Sequence, residues 1–234
     1  MHQFIYNGKR SQDFGLVLSG EDVWETAVPD LVWTSIPGRN GDLLMSNHRY
    51  KNVDIKYAAG VKKFFPTALA ALTNFLLQDP GYHRLEDSYH PEHYRIAAMA
   101  TKVEVHPGTL NQSGTIDITF TCKPQKFLKI GERVQEFSAN GVIFNPTLFE
   151  ARPLIRVYGT GQVQIGTQTF ELAANDGYTD VDSDMQDAFC GITNRNENLR
   201  LTSGDFPTLP PGETNIVLGS GISKLEITPR WWCL

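Results

Sequence analysis

The sequence predicts a mainly β protein with one helix, divided into two parts. Three observations carry this reading. The 234 residues include 20 glycines and 13 prolines without a period, which favours many short strands joined by turns. Several stretches alternate apolar and polar residues. Only one segment, residues 66–79, has helical spacing.

In chain order, Phe4-Ile5-Tyr6 runs into Asn7-Gly8, a pair suited to a tight primed turn, with an expected return into Phe14-Gly15-Leu16-Val17-Leu18. Residues 23–36 carry Val23, Trp24, Val28, Leu31, Val32, Trp33 and Ile36 around Pro29, predicting irregular strands. Residues 37–42, Pro-Gly-Arg-Asn-Gly-Asp, form a loop. In residues 50–57, Val53, Ile55 and Tyr57 alternate with Asn52, Asp54 and Lys56, as in a half-buried strand. Pro66 then starts a helix whose stripe is Ala68, Leu69, Leu72, Phe75 and Leu76, stopped by Pro80-Gly81 and expected to lie on a sheet. Ile116, Ile118, Phe120 and Cys122 alternate with threonines and Asp117 in the clearest strand, which Pro124 is expected to end.

Beyond this point, strand signals recur every 8–15 residues with little helical period, predicting an antiparallel sandwich. The overall charge of −5 is uneven: residues 1–130 sum to +1 and residues 131–234 to −6. The charge step and the change of rhythm place a boundary between 124 and 140, giving domains 1–130 and 131–234. A net of +1 is no footprint for nucleic-acid binding, which wants a clustered basic face.

Three widely spaced cysteines, Cys122, Cys190 and Cys233, argue against a disulfide framework and a Cys-x-x-Cys metal site. The first residues contain no apolar run of signal-peptide length. The most apolar window, 64–77, is broken by Pro66, Thr67, Thr73 and Asn74, so no membrane insertion is expected. Synthesis in the cytoplasm with reduced thiols follows as an expectation.

Candidate chemistry is thin. Residues 81–95 gather His83, Glu86, Asp87, His90, Glu92 and His93, but Pro91 disfavours the helix that would aim both later imidazoles at one ion. They read as a polar turn. Residues 176–187 open like a calcium loop with Asp180, Asp182 and Asp184, yet Met185 and Gly191 occupy the positions where an EF-hand needs glycine and glutamate. Tyr158-Gly-Thr-Gly161 is too short for a dinucleotide fingerprint, and Gly-Ser-Gly at 219–221 reads as a turn, not a hydrolase elbow. No catalytic, cofactor-binding or metal-ligating residue is predicted. The remaining candidates are surface aromatics. Of the consecutive Trp231 and Trp232 at most one can point inward on a strand, leaving the other as an interface candidate.

Several stretches together resemble the distal tail protein (Dit) family of long-tailed bacteriophages. They are FIYNGKRSQDFGL, SIPGRNGDL with YKNVDIKY, LEDSYHPEHYRIA, TFTCKPQKFLKIGE, ARPLIRVYGTGQVQIG, YTDVDSDMQDAF, FPTLPPGETNIVLGSG and the terminal EITPRWW. They cover nearly the whole chain in order. The resemblance implies an N-terminal ring-forming β domain with a helix and a C-terminal galectin-like β-sandwich. It also implies a homo-hexameric hub at the distal end of a virion tail, made in the bacterial host cytoplasm. Its implied partners are the tail tube protein, the tail-associated protein, the tape measure protein and a receptor-binding protein, around a channel for tape measure and DNA. It implies a structural role without catalysis. A subunit contact through Arg39 and Asp42 in the 37–42 loop is expected, with Trp232 as a further contact. The competing expectation is a carbohydrate-binding module in the C-terminal sandwich.

Overall fold

The computed structural model describes residues 2–19, 24–61, 65–99, 103–108, 112–173 and 177–234, so Val23, Phe64 and Asp176 of the sequence reading lie outside the described residues. The chain divides into two compact units, Met1–Lys126 with Leu234, and Phe127–Cys233. Each has its own hydrophobic cluster, and the clusters share no residue.

The first unit begins with β1 (Phe4–Tyr6) and β2 (Lys9–Arg10), joined by Asn7 and Gly8 at φ 45° and 76°. Both positive angles suit the primed turn that Asn-Gly favours. The expected return into residues 14–18 does not occur. A 3-10 turn at Ser11–Phe14, entered with the Arg10 N–H donating to Asp13 Oδ2 at 3.1 Å, ends the hairpin after β2. Gly15, at φ 70°, then redirects the chain into β3 (Leu16–Leu18), which pairs with a different strand.

There follow β4 (Pro29–Thr34), β5 (Leu43–Tyr50), β6 (Val53–Val61), α1 (Phe65–Leu77), β7 (His83–Asp87), β8 (His93–Ala98), β9 (Glu104–Pro107) and β10 (Gly114–Leu128). The main sheet runs β2-β1-β7-β8-β10-β6-β3, with β9 also on β10. β10 and β6 pair antiparallel from Gly114↔Val61 to Cys122↔Val53. Their inward residues, Val53, Ile55, Tyr57 and Ala59 against Ile116, Ile118, Phe120 and Cys122, are buried with Phe65, Leu72 and Leu76 of α1. The predicted helical stripe therefore does lie on the sheet. Phe120 sits among Tyr6, Phe4 and Tyr57 at ring separations of 4.8, 5.5 and 6.0 Å. Burial pushes the Cys122 thiol up to about 12, keeping it an inert core group.

Pro124 does not end β10, which continues to Leu128. The ladder to β6 stops at Cys122, so the missing proline N–H is not required on that side.

The second unit holds β11 (Gln135–Phe137), β12 (Gly141–Asn145), β13 (Leu154–Gly159), β14 (Gly161–Ile165), β15 (Gln168–Leu172), β16 (Thr179–Asp182), β17 (Asp187–Cys190), β18 (Thr193–Asn194), β19 (Leu199–Leu201), β20 (Gly212–Leu218), β21 (Ile222–Thr228) and β22 (Trp232–Cys233). Two antiparallel sheets result, β11-β21-β13-β16-β17-β18 and β12-β20-β14-β15-β19. Inward residues of both, among them Ile155, Val181 and Leu225 from one and Val163, Phe170 and Ile216 from the other, form a single core. The glycine motifs of the sequence are a close backbone crossing. A Cβ on Gly159, at φ 101°, would lie 2.2 Å from the Gly221 carbonyl oxygen, so the β13–β14 and β20–β21 turns meet only because both are glycine-rich.

The two cores predict separable stability effects. Truncating either buried aromatic costs about 3–5 kcal/mol by lost burial plus a cavity. In scanning calorimetry, Phe120→Ala is expected to lower a transition belonging to the first unit and Phe170→Ala one belonging to the second. Coincident shifts for both variants would contradict independent cores.

Candidate functional site

The motifs that hinted at chemistry are consumed by structure. Residues 81–95 form β7, a turn and β8. Asp87 organises the turn: it accepts hydrogen bonds from Tyr57 Oη at 2.7 Å, the Tyr89 N–H at 2.9 Å and the His90 N–H at 2.7 Å, and lies 3.1 Å from His90 Nδ1. Burial, reinforced by the Asp87 charge and its hydrogen bond, raises the Tyr57 phenol well above its ordinary value. Burial first, and the Lys126 charge second, lower His93 and favour its neutral form.

The acidic run of the second unit is likewise engaged. Arg156 makes a two-point pair with Asp180, Nε to Oδ1 at 2.7 Å and Nη2 to Oδ2 at 2.9 Å, and its guanidinium lies 4.1 Å from the Tyr178 ring centroid. Arg230 does the same to Asp182 at 2.7 and 2.8 Å, and the N–H groups of Asp184 and Met185 also donate to Asp182. Two of the three carboxylates of the calcium-like run, Asp180 and Asp182, thus already face guanidinium groups.

Glu104, His106 and Asp117 place potential ligand atoms within 4.8 Å of one another on β9 and β10. The Lys56 ammonium lies 2.6 Å from Asp117 Oδ2, and that hydrogen bond raises the lysine pKa. The group is an ion-pair network on the outer face of the sheet, carrying one more carboxylate than ammonium.

What remains is an exposed apolar element. β4 and β5 form a two-stranded sheet of their own, with Val32↔Met45 and Trp33↔Leu44 in register. Its root is fixed: Asp30 is buried and accepts from Arg49 Nε at 2.7 Å, with Lys51 Nζ at 3.7 Å. Hydrogen bonds from Asn47 and Arg49 hold the Asp30 carboxyl below the usual carboxylate range. Beyond the root the ribbon is bare. Trp33 is 62% exposed and Leu44 47% on one face, while Val32, Met45 and Leu43 are exposed on the other. Arg39 and Asp42 lie in the turn at its tip, both exposed. Among the described residues the Arg39 side chain makes no hydrogen bond or ion pair.

The sequence pointed to Arg39 and Asp42 but not to the ribbon behind them. The runs Leu31-Val32-Trp33 and Leu43-Leu44-Met45 carried the signal, because consecutive apolar residues on a strand put greasy groups on both faces. Trp231 is the inward member of its pair, 2% exposed. Trp232 is half-buried, stacked on Phe149 at 4.4 Å, with its indole N–H donating to the Glu150 carbonyl at 2.9 Å. It is thus tied into its own unit. Trp24 is exposed, edge-on to His90 at 4.5 Å.

This two-unit, β-rich architecture is the fold of phage tail hub and baseplate components. The hub protein Dit of phage SPP1 matches with a TM-score of 0.79 over 100% of both chains at 15% sequence identity. The phage p2 baseplate in its activated conformation matches over 97% of both chains at 11% identity, with TM-scores of 0.51 for the calcium form and 0.52 for the strontium form. At these identities the likeness is one of fold. No family model and no curated protein sequence matches the chain. Among the described residues no helix is long and apolar enough to cross a membrane.

The Asp182–Arg230 latch predicts an acid-sensitive second unit. Burial raises the Asp182 carboxyl, but the Arg230 hydrogen bonds and the two backbone donors outweigh it, leaving the folded value below the ordinary one. The group's stabilisation is therefore complete above about pH 4 and is lost as pH falls through the folded value. Asp182→Asn is expected to cost about 2 kcal/mol at neutral pH by removing charge-assisted hydrogen bonds. It should also flatten the acid limb of a stability–pH profile measured by urea unfolding. An unchanged acid limb would remove Asp182 as its source.

Proposed function

We propose that the protein is the structural hub of a phage tail tip, with six copies closing into a ring at the distal end of the virion tail. The observation that carries this reading is the full-length match in fold to SPP1 Dit, described as a paradigm of the hub adsorption apparatus in phages that infect Gram-positive bacteria. The sequence resemblance to the distal tail family points the same way. In this reading the first unit forms the ring and the second is a galectin-like sandwich. The ring joins the tail tube protein to the tail-associated protein. It leaves a channel for tape measure and DNA, and gives the receptor-binding protein an attachment. The protein makes and breaks no bonds and needs no metal or cofactor.

The β4–β5 ribbon supports ring formation. A head-to-tail contact that repeats and closes needs two different surfaces on each chain, and the ribbon supplies one large apolar element. Arg39 and Asp42 at its tip are the proposed polar contacts, with Trp232 a peripheral one.

A carbohydrate-binding reading of the second unit has one feature in its favour. Phe144 is exposed on the outer face of β12, opposite Glu213 and beside Asn215, an aromatic with polar neighbours. Retention on a glycan array by a chain that stays monomeric would favour that reading over the hub.

Negative-stain microscopy of the purified full chain at high concentration, and of tails carrying it, tests the hub. Six-fold rings are expected in both. Tails that assemble without the protein would overturn the proposal. Arg39→Glu is expected to reduce ring yield several-fold without changing the thermal midpoint, because Arg39 is exposed and belongs to neither buried cluster.

A further inference from the structure

The ribbon requires a receiving surface, and the outer face of the main sheet offers one. Two shallow hollows, of about 310 and 480 Å3, meet there at Gly60 and Thr115. The first is lined by Val17 and Ala58, and the second runs to His106 and Pro107. Together they make a trough across β3, β6, β10 and β9. Its floor is apolar, and it has room for a large side chain. At its β9 end, Glu104 stands two residues from His106, and Asp117 two residues from Thr115. This is the network with one more carboxylate than ammonium.

We infer that this trough receives the β4–β5 ribbon of a second copy of the same chain, Trp33 and Leu44 entering the hollows and Arg39 meeting Glu104 and Asp117. Three observations select a second copy as the occupant. The ribbon's large side chains are exposed on their own unit, while the middle of the trough is floored by the small residues Ala58, Gly60 and Thr115, so the surfaces are complementary in relief. The tip carries a guanidinium with no ion-pair partner among the described residues, and the trough's end carries the excess carboxylate, so they are complementary in charge. Ribbon and trough are different surfaces of one chain, as a head-to-tail contact demands. The inference rests on the ring reading and assigns its acceptor.

Gly60 makes the test clean. A Cβ at this position would meet nothing nearer than the Val17 carbonyl oxygen at 3.9 Å, so a side chain projects into the trough without disturbing the fold. Gly60→Phe in the full chain is expected to keep the wild-type thermal midpoint and circular dichroism. Analytical ultracentrifugation should show its self-association weakened by about tenfold or more, the effect of blocking a buried interface anchor. On a Cys190→Ser, Cys233→Ser background, Leu44→Cys and Ala58→Cys chains should form a disulfide-linked dimer when mixed and oxidised, and neither should do so alone. Arg39→Glu should lose association, and adding Glu104→Arg should recover it.

If wild-type chains associate but Gly60→Phe associates equally well and the mixed disulfide does not form, the trough is not the acceptor, although the ring reading survives. If wild-type chains remain monomeric at every concentration and form no ring in tails, both readings fall.

Discussion

A two-stranded ribbon has two faces, and in this chain neither is covered by the unit that carries it. Burying apolar surface is worth about 25 cal/mol per Å2. Val32, Trp33, Leu43, Leu44 and Met45 therefore stand where that gain is unrealised. An isolated hairpin is marginal in water. Here the ribbon is held at its root by the Asp30–Arg49–Lys51 group and left greasy beyond it. Monomeric proteins seldom keep a contiguous patch of this kind without a use for it. The proposed hub assembly answers that constraint in part, since the trough of another copy would cover the face that carries Trp33 and Leu44.

The rest of the molecule is held by buried faces and local pairing. β6 and β10 bury one face each and leave the other for polar groups and small residues, which lets a core and the proposed docking surface share the same strands. The second unit closes two sheets over one core, and within one of those sheets arginine–aspartate pairs tie β16 to β13 and to the segment after β21. The carboxylates are engaged locally: Asp180 and Asp182 pair with guanidinium groups, Asp117 pairs with Lys56, and Asp87 accepts from a phenol and backbone donors.

The candidate site was only partly legible. The loop containing Arg39 and Asp42 declared itself through glycine and proline. Alternation identified β6 and β10, and helical spacing identified α1, because each period depends on local geometry and one buried face. The ribbon was harder. Leu31-Val32-Trp33 and Leu43-Leu44-Met45 have the composition of a buried central strand, and composition does not say whether cover comes from the same chain. The Glu104–His106–Asp117 group was invisible because β9 and β10 meet through a register that no local rule supplies. The return of residues 14–18 failed for a related reason: the Asn-Gly turn was read correctly, but the 3-10 turn at Ser11–Phe14 sent β3 to β6 instead.

By itself, the sequence determined the strand-rich class, the single helix, the inward faces of the long strands and the places where glycine permits a turn. These depend on side-chain periodicity and backbone sterics, which act over a few residues. Tertiary structure alone decided which strands pair, where Pro124 is tolerated, which tryptophan of Trp231 and Trp232 turns inward, and that the apolar runs at 31–33 and 43–45 stay exposed. Those outcomes depend on contacts between residues far apart in the chain, where the energy of a face is set by what the fold brings against it.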